Sequence, residues 1–530
     1  MRSGPDYTGR AGVKAGSGPS RRDLGLGLAA TALAGGGGGR GDPEVRTTLG
    51  PVRGVRRDGV ATFLGLRYGR AARFDPPVAP SPWGEVFLAD RFGPASPQRG
   101  AEPDQGEDCL RLNLWTPGVD GGARPVLVYV HGGAYATGSG ASPLTDGARL
   151  AARGDVVVVT LNHRLGPLGY AYLDRLAPGF RHTGNLGQLD LILALEWVRR
   201  EIGRFGGDPA RVTVFGQSGG GAKIATLMAT PAAAGLFHRV LTMSGQQVTA
   251  SGPLNATRRA EVWLDALGLT PDRAGEVRTL PVARLIEAAG ATDPILGGSL
   301  YLGPVMDGLS LPRHPFWPDA PAQSAHIPMI IGNTREETLA FLGNDPANAG
   351  LTWDALPSRL TPAQMRIDVA PEAVVAWYRQ NHPALTPDEV LIRATTAGRS
   401  WRAAVIEAEA RAAQGSPARV YQLDWPARLP SGRTGAYHTS DIPLMFDTLA
   451  APGSGAIGPQ AQALADLMSA MLVRYARTGD PDGPGLPAWS PYSLARRETL
   501  ILDLPPRMAD DPRGDERAFF ARIPYVQPGT

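Results

Sequence analysis

The chain has 530 residues, of which 43% are hydrophobic and 19% are charged, and this composition excludes a disordered protein. Its formal net charge is only +3, and its arginines are scattered among a similar number of acidic residues, which argues against a nucleic-acid-binding surface. The 68 glycines and 49 prolines favour a sheet with many short connections over a helical bundle or a coiled coil.

The first 43 residues differ in composition from the rest of the chain. Residues 20–26, Ser-Arg-Arg-Asp-Leu-Gly-Leu, resemble a twin-arginine export motif, and an apolar run over 24–34 ends on Ala-Leu-Ala, the kind of site that signal peptidase cleaves. We therefore predict an export signal and flexible linker over 1–43 and a protein that is periplasmic or secreted. If the Arg-Arg pair is fortuitous, the protein is instead cytoplasmic. The run is too short for a stable membrane anchor.

From residue 44 onward, short apolar runs alternate with helical patterns. Such runs are typical of strands that are buried on both faces of a sheet. The helical pattern over 189–204, with Leu191, Leu195 and Val198 on one face, is an example of what lies between them. We predict the α/β class, with one large, mostly parallel sheet flanked by helices in a single domain over 44–530. The predicted strands lie at 126–130, 156–161, 212–215, 240–243, 329–331 and 420–423.

The strand predicted at 126–130 ends in His131-Gly132-Gly133-Ala134. Two glycines at the end of a strand can simply make a tight turn. A His-Gly-Gly loop upstream of a reactive serine is also the type of loop whose backbone N–H groups stabilise an oxyanion. The elbow described next favours the second interpretation.

The strand predicted at 212–215 runs into Gly216-Gln217-Ser218-Gly219-Gly220-Gly221 and then into a helical pattern from 222 to about 229. A Gly-x-Ser-x-Gly motif between a strand and a helix is typical of a nucleophile elbow, which exposes the serine hydroxyl at the start of the helix. Ser218 is therefore the candidate nucleophile. The two lysines, Lys14 and Lys223, do not lie three residues after a serine, which excludes a Ser-x-x-Lys arrangement.

A serine nucleophile needs a base and an acid that orients the base. The loop after 329–331 carries Glu336 and Glu337, and the pattern alone does not choose between them. Among eight histidines, His438 lies in a loop that follows the strand predicted at 420–423, and it is the candidate base. The order serine, acid, histidine is that of the α/β-hydrolase fold.

Residues 346–414 are rich in helical patterns and contain no comparable apolar run. We predict a helical insertion beside the sheet. This insertion and the segment around 296–317 are expected to form the wall of the substrate pocket, although the sequence does not reveal which side chains would contact a substrate.

Together these motifs resemble the type-B carboxylesterase family, which includes cholinesterases, animal carboxylesterases and bacterial para-nitrobenzyl esterases. The resemblance covers residues 44–525. Residues 107–117, Glu-Asp-Cys-Leu-Arg-Leu-Asn-Leu-Trp-Thr-Pro, resemble one family signature, and residues 205–209, Phe-Gly-Gly-Asp-Pro, continuing through the elbow, resemble the other.

The resemblance assigns roles to individual residues. It implies that Glu337 is the acid and that Ser244 supports the acid and the histidine from behind. It also implies that the N–H groups of Gly133, Ala134 and Gly219 bind the oxyanion.

Other positions are expected to be structural or depart from the family pattern. Arg164 and Asp190 match a structural ion pair. Cys109, the single cysteine, lacks the disulfide partner found in many relatives and is expected to be a buried free thiol. Gly219 stands where alanine is commoner, and Thr338 stands where glycine follows the acid.

The sequence therefore predicts a serine hydrolase that cleaves carboxylic esters of small molecules through an acyl-enzyme intermediate, with no metal or organic cofactor. One alternative is a specialised esterase that removes polycarboxylic acyl groups from a natural product or toxin. A more distant alternative is a non-catalytic binding protein similar to the neuroligins, which have typically lost a member of the triad. The oligomeric state is left open.

Overall fold

The apolar runs form the centre of one large sheet in a computed structural model. The structure describes residues 41–100, 102–365 and 367–525, so the predicted export signal, apart from 41–43, lies outside the described residues. The strands of the main sheet, numbered in chain order, are β1 (Val55–Arg57), β2 (Val60–Arg67), β3 (Arg111–Thr116), β4 (Arg124–Val130), β5 (Val157–Leu161), β6 (Gly207–Gln217), β7 (Arg239–Met243), β8 (Met329–Thr334), β9 (Arg419–Leu423), β10 (Glu498–Leu502) and β11 (Arg507–Asp510).

The sheet is parallel in its centre and antiparallel at both edges. Its strand order is β11-β10-β9-β8-β7-β6-β4-β5-β3-β2-β1. All neighbours from β10 to β5 pair in parallel, and the outer pairs are antiparallel. Each of the six predicted strands is present, which confirms the mostly parallel sheet. Two short sheets lie outside it, formed by Glu44–Arg46, Pro51–Arg53 and Phe87–Leu88 and by Ala427–Arg428 and Thr434–Gly435.

The central strands are buried on both faces, because their side chains alternate between two apolar cores. In β4, Val126, Val128 and Val130 lie in one core, and Leu127 and Tyr129 lie in the other. The first core also contains the apolar side of the helix Leu186–Glu201, and the second contains that of Ala461–Thr478. Helices therefore cover both faces of the sheet.

The α-helices connect the strands and cover the sheet. Within the described ranges, none of them is both long enough and apolar enough to cross a membrane. They are Ala148–Gly154, Gly166–Tyr170, Leu186–Glu201, Gly219–Met228, Pro253–Ala266, Val282–Ala288, Leu339–Leu342, Leu356–Arg359, Pro362–Met365, Pro371–Asn381, Pro387–Thr396, Arg402–Ala413, Ile442–Phe446, Ala461–Thr478 and Gly514–Phe520.

The predicted insertion consists of helices, and its described residues contain no strand. Its earlier helices share a separate small apolar core. Its last helix, Arg402–Ala413, instead packs Ala404 and Ala408 into the core of the main sheet. Between these two parts, Ala397–Trp401 forms a π-helix, a local distortion that often accompanies functional sites.

The carboxyl ends of the parallel strands lie at one edge of the sheet and place the candidate residues there. Strand β4 ends before the His131 loop, β6 before Ser218 and β7 before Ser244, while β8 and β9 lead to the loops of Glu337 and His438. One compact unit begins at Asp42 and contains all of these loops. Residues that are up to 307 positions apart in the sequence, such as His131 and His438, can meet there.

Candidate active site

Ser218 occupies a strained turn between β6 and the helix Gly219–Met228. Its backbone angles are φ 56° and ψ −128°, which a residue with a side chain rarely adopts, and its N–H donates to the Met243 carbonyl at 2.8 Å. The helix begins at Gly219, three residues earlier than predicted, because the glycines that disfavour a helix by propensity are required here by sterics. A Cβ on Gly220 would lie 1.9 Å from the Val130 carbonyl oxygen.

His438 and Glu337 form a buried, hydrogen-bonded pair. His438 Nδ1 lies 2.5 Å from Glu337 Oε2, and Glu337 is fully buried. Glu337 Oε1 also accepts hydrogen bonds from the Thr334 N–H at 2.8 Å and from Asn333 Nδ2 at 3.2 Å. Burial alone would raise the pKa of Glu337, but His438 and the Thr334 N–H hold it below its ordinary value. The carboxylate is thus kept charged next to the imidazole.

Glu336, the other glutamate of the acid loop, faces elsewhere. Its Oε2 accepts a hydrogen bond from the Ala436 N–H at 2.7 Å, and its side chain lines a separate cavity. Of the two glutamates that the sequence pattern left open, Glu337 is the one that is hydrogen-bonded to His438.

The Nε2 atom of His438 contacts a residue that the sequence analysis did not single out. It lies 3.2 Å from Nε2 of Gln217, the buried residue that precedes the serine. With Nδ1–H donated to Glu337, this Nε2 carries a lone pair that accepts from the Gln217 amide. Among the described residues it has no hydrogen bond to Ser218. The position of Gln217 inside the elbow motif is the signal that could have identified it.

Three backbone N–H groups are available next to Ser218. Gly133 and Ala134 have positive φ angles of 84° and 52°, and Gly219 is the first residue of the elbow helix. In the described part of the chain, no acceptor is hydrogen-bonded to the N–H of any of the three. Gly133 must be glycine, because a Cβ there would lie 2.3 Å from the Thr137 carbonyl oxygen.

These groups surround a cleft of about 230 Å³ that contains Ser218 and His438 on its wall. Both wall segments expected from the sequence contribute to it, which confirms that the insertion forms part of the wall. Two further aromatic residues, Phe341 and Tyr525, were not predicted. The lining residues are Ala134, Tyr135, Ser218, Gly219, Ala222, Ser244, Gly245, Gln246, Gln247, Tyr301, Phe341, Arg399, Ser400, Ala403, His438 and Tyr525.

Ser244 lies behind the acid and also reaches the cleft. Its N–H donates to the Gly332 carbonyl at 2.8 Å, and its positive φ of 49° places it in a tight turn after β7. Its hydroxyl helps to lower the pKa of Glu337, although it makes no hydrogen bond of ordinary length and angle with the described residues.

The residues expected to be structural are buried away from the cleft. Arg164 and Asp190 form an ion pair at 2.7 Å, with both side chains almost fully buried. Cys109 is a buried free thiol, and burial raises its pKa to about 12, so it is not nucleophilic at neutral pH.

Comparison with known proteins identifies the family. The model of the carboxylesterase family matches residues 41–520, most of the chain. The chain belongs to the carboxylesterase family. Its similarity to the carboxylesterase Est55 of Geobacillus stearothermophilus extends to the whole fold, with a TM-score of 0.81 and 35% identity over 90% of this chain and 99% of that one. The α/β-hydrolase fold is thereby confirmed.

Two curated relatives are similarly complete matches. The para-nitrobenzyl esterase of Bacillus subtilis is 33% identical over 89% of this chain and 97% of its own length. The fumonisin B1 esterase of Sphingopyxis macrogoltabida is 31% identical over 83% of both chains. Together with the family match, these relatives support the prediction that this carboxylesterase is a serine hydrolase of carboxylic esters.

Proposed function

We propose that Ser218, His438 and Glu337 are the catalytic triad of this carboxylesterase and that it hydrolyses small-molecule esters through an acyl-enzyme. The observation that carries the proposal is the buried His438–Glu337 hydrogen bond beside the strained Ser218, in one cleft. An imidazole held by a charged carboxylate has its other nitrogen available as a base.

In the acylation step, Ser218 Oγ attacks the ester carbonyl carbon and transfers its proton to His438 Nε2. Glu337 stabilises the imidazolium that forms. The tetrahedral intermediate then collapses, and the alcohol leaves with the proton from Nε2. In the second step, His438 takes a proton from water, the hydroxide attacks the acyl carbon, and Ser218 regains its proton as the acid is released.

The oxygen that becomes negative in each intermediate is bound by the N–H groups of Gly133, Ala134 and Gly219. These N–H groups have no other acceptor among the described residues, so they can donate as the charge develops. Before a substrate binds, the Gln217 amide donates a hydrogen bond to the lone pair of His438 Nε2. This hydrogen bond must break before Nε2 can accept the proton of Ser218 Oγ.

The variant Ser218→Ala tests the triad directly. It is expected to abolish hydrolysis of a para-nitrophenyl acyl ester with unchanged circular dichroism, and a serine-directed organophosphate is expected to label Ser218 in the wild type alone. Undiminished turnover by the alanine variant would contradict the proposed triad, whereas a wild type without turnover would favour a binding protein on the same scaffold.

A second candidate is a specialised esterase that removes polycarboxylic acyl groups from a natural product or toxin. The cleft supports it, because Arg399 lies on its wall, with the guanidinium 4.7 Å from the centre of the Phe341 ring. A fumonisin B1 esterase among the relatives supports it as well. A cation at this place would favour an acyl group that carries carboxylates.

Steady-state kinetics with a neutral ester and a tricarboxylate ester of the same alcohol separate the two candidates. The specialised enzyme is expected to prefer the tricarboxylate ester at least tenfold in kcat/KM and to lose that preference in Arg399→Gln. Equal kcat/KM values for both esters would support a broad-range carboxylesterase.

We also propose export by the twin-arginine route, on the basis of residues 20–34 alone. Replacing both Arg21 and Arg22 by lysine is expected to retain the protein in the cytoplasm of a host that has this pathway. An unchanged distribution would make the protein cytoplasmic or exported by another route.

A further inference from the structure

Lys223 is a buried cation that the proposed triad does not use. It is the only lysine among the described residues, it lies five residues after Ser218 on the elbow helix, and it is fully buried. It forms no salt bridge with any described carboxylate, and burial lowers its pKa to about 7. A buried ammonium without a counter-ion is costly, so its contacts must account for its presence.

The contacts of Lys223 lead to the loop that carries two of the proposed oxyanion donors. Its Nζ donates to the Ala134 carbonyl oxygen at 2.6 Å and to the His131 carbonyl oxygen at 3.3 Å. The ammonium also lies 5.2 Å from the centre of the Tyr135 ring, within the range of a cation–π interaction. One side chain thus connects the elbow helix with both ends of the segment 131–134.

Along the chain, the His131 and Ala134 carbonyl groups lie on either side of the two donor N–H groups. A peptide unit is planar, so binding the His131 and Ala134 oxygens fixes the units 131–132 and 134–135. The N–H groups of Gly133 and Ala134 belong to the two units between them, 132–133 and 133–134. Clamping the outer units restricts how the inner ones can rotate, even though two glycines would otherwise leave this loop many conformations.

Gly219 completes this arrangement. A Cβ on residue 219 would lie 2.1 Å from the Ala134 carbonyl oxygen, the same oxygen that Lys223 binds. The same Cβ would lie 2.5 Å from the Ala134 Cα, so the Ala134 backbone as a whole occupies the space that an alanine at 219 would fill. This gives a physical reason for the glycine at a position where the family more often has alanine.

We infer that Lys223 is a positioning residue that holds the 131–134 loop against Gly219, so that the N–H groups of Gly133 and Ala134 are fixed for the oxyanion. The inference rests on the proposed function, because it assigns the loop a role only if Ser218 forms an acyl-enzyme. Donors aimed at the oxyanion act in the transition state more than in the bound substrate, so their misplacement lowers kcat and leaves KM nearly unchanged.

The variant Lys223→Met tests the inference, with hydrolysis of para-nitrophenyl butyrate as the assay. Methionine matches the shape of lysine without its charge. We expect kcat to fall about ten- to a hundredfold and KM to change less than about threefold, while Tm changes about as much as in the control variant described next, since both replacements remove hydrogen bonds to backbone carbonyls. If this variant does not fold, Lys223→Gln, which keeps a neutral donor, is expected to show the same pattern with a smaller loss.

Arg411→Met is the matched control. Arg411 is also a buried cation that donates to backbone carbonyls, those of Ser324 at 3.0 Å and Ile327 at 2.7 Å, but it does not line the cleft. Its replacement is expected to lower Tm and to leave kcat within about twofold of the wild type, because only structural hydrogen bonds are lost.

A double-mutant cycle with Gly219→Ala gives an independent measurement. In the wild-type background this change is expected to lower kcat at least about a hundredfold. In the Lys223→Met background the Ala134 backbone is no longer tied to the elbow helix and can move away as a whole, so the further loss is expected to be less than about tenfold. A fold loss of kcat in the double variant that equals the product of the two single losses would contradict the inference that Lys223 holds the loop.

The outcomes of the two proposals are distinguishable. If Ser218→Ala retains activity, the proposed function fails. If activity depends on Ser218 but Lys223→Met keeps the wild-type kcat, or Arg411→Met loses as much kcat as Lys223→Met does, then the inference about Lys223 is overturned and the triad stands.

Discussion

Two buried glutamates near the cleft have opposite electrostatic properties. Glu337, in the loop after β8, accepts hydrogen bonds from His438, Thr334 and Asn333, and its pKa lies below the ordinary value. Glu407, on the helix Arg402–Ala413, is equally inaccessible to solvent. It accepts one hydrogen bond, from the Gln247 N–H at 2.7 Å, and its Oε2 has no partner among the described residues.

The difference shows that partners, and not burial, decide which of these carboxyl groups is charged. Burial raises the pKa of Glu407 to about 8, so it is protonated at neutral pH, whereas His438 keeps Glu337 ionised. Of the two glutamates, only Glu337 has a titratable partner among the described residues, His438 in the loop after β9. The carboxylate proposed to be catalytic is therefore the one for which the fold provides donors.

The largest effect is expected for Glu337→Gln, which removes the negative charge next to His438. The amide cannot hold the imidazole in the required tautomer or stabilise the imidazolium, so kcat is expected to fall about 10³- to 10⁴-fold. Steady-state hydrolysis of a para-nitrophenyl ester measures it. Glu336→Gln, one residue away and hydrogen-bonded to the Ala436 N–H, is the matched control and is expected to change kcat less than about threefold. Equal losses in the two variants would remove the distinction.

The next effect concerns the stability of the fold and its dependence on pH. The pKa of Glu407 is about 8 in the folded protein and near 4.5 in the unfolded chain, so the folded state binds the proton more tightly. Its contribution to stability is complete below about pH 4.5 and is lost as the pH rises to about 8. Glu407→Gln removes this loss and keeps an acceptor for the Gln247 N–H.

Urea denaturation of both proteins between pH 5 and pH 9 measures the difference. Relative to the wild type, the variant is expected to gain up to ~4 kcal/mol between the two ends of this range. The shared contributions of all other groups cancel in this comparison. A difference in unfolding free energy that is independent of pH would show that Glu407 is ionised in the folded protein.

The sequence predicted one of these two glutamates and not the other, for a physical reason. Glu337 belongs to a motif whose position after a strand has a mechanism, and the parallel strand order brings it to His438. Glu407 lies in a helix with no motif, and its burial arises from the packing of the insertion on the sheet. Local patterns do not contain such tertiary contacts.

The other residues of the site divide in the same way, into those that belong to a local motif and those that depend on tertiary contacts. The elbow and the His-Gly-Gly loop were predictable because their backbone geometry requires glycine at particular places, as the contacts of Gly133 and Gly220 show. Lys223 and Gln217 lie inside or beside those motifs, yet what they contact depends on how two distant segments meet. Phe341 and Tyr525 reach the cleft from segments that carry no motif.

The smallest effect is expected at Thr338, which connects the acid loop to the insertion. Its buried hydroxyl donates to the Ile392 carbonyl at 2.9 Å and lies 2.7 Å from the Thr395 hydroxyl, while its N–H donates to Thr396 Oγ1 at 3.2 Å. Thr338→Val keeps the shape and removes the hydroxyl, so a loss of about 1 kcal/mol in unfolding free energy is expected.

Activity then tells whether this connection also sets the position of Glu337. Because the Thr334 and Asn333 donors hold the carboxylate independently, kcat of Thr338→Val is expected to stay within about threefold of the wild type. Ser358→Ala, which removes an exposed hydroxyl in the same insertion, is the control and is expected to change stability by less than about 0.5 kcal/mol. A tenfold loss of kcat in Thr338→Val alone would mean that the insertion, and not the loop after β8, orients Glu337. The electrostatic difference between Glu337 and Glu407 would then depend on contacts with the insertion at both residues.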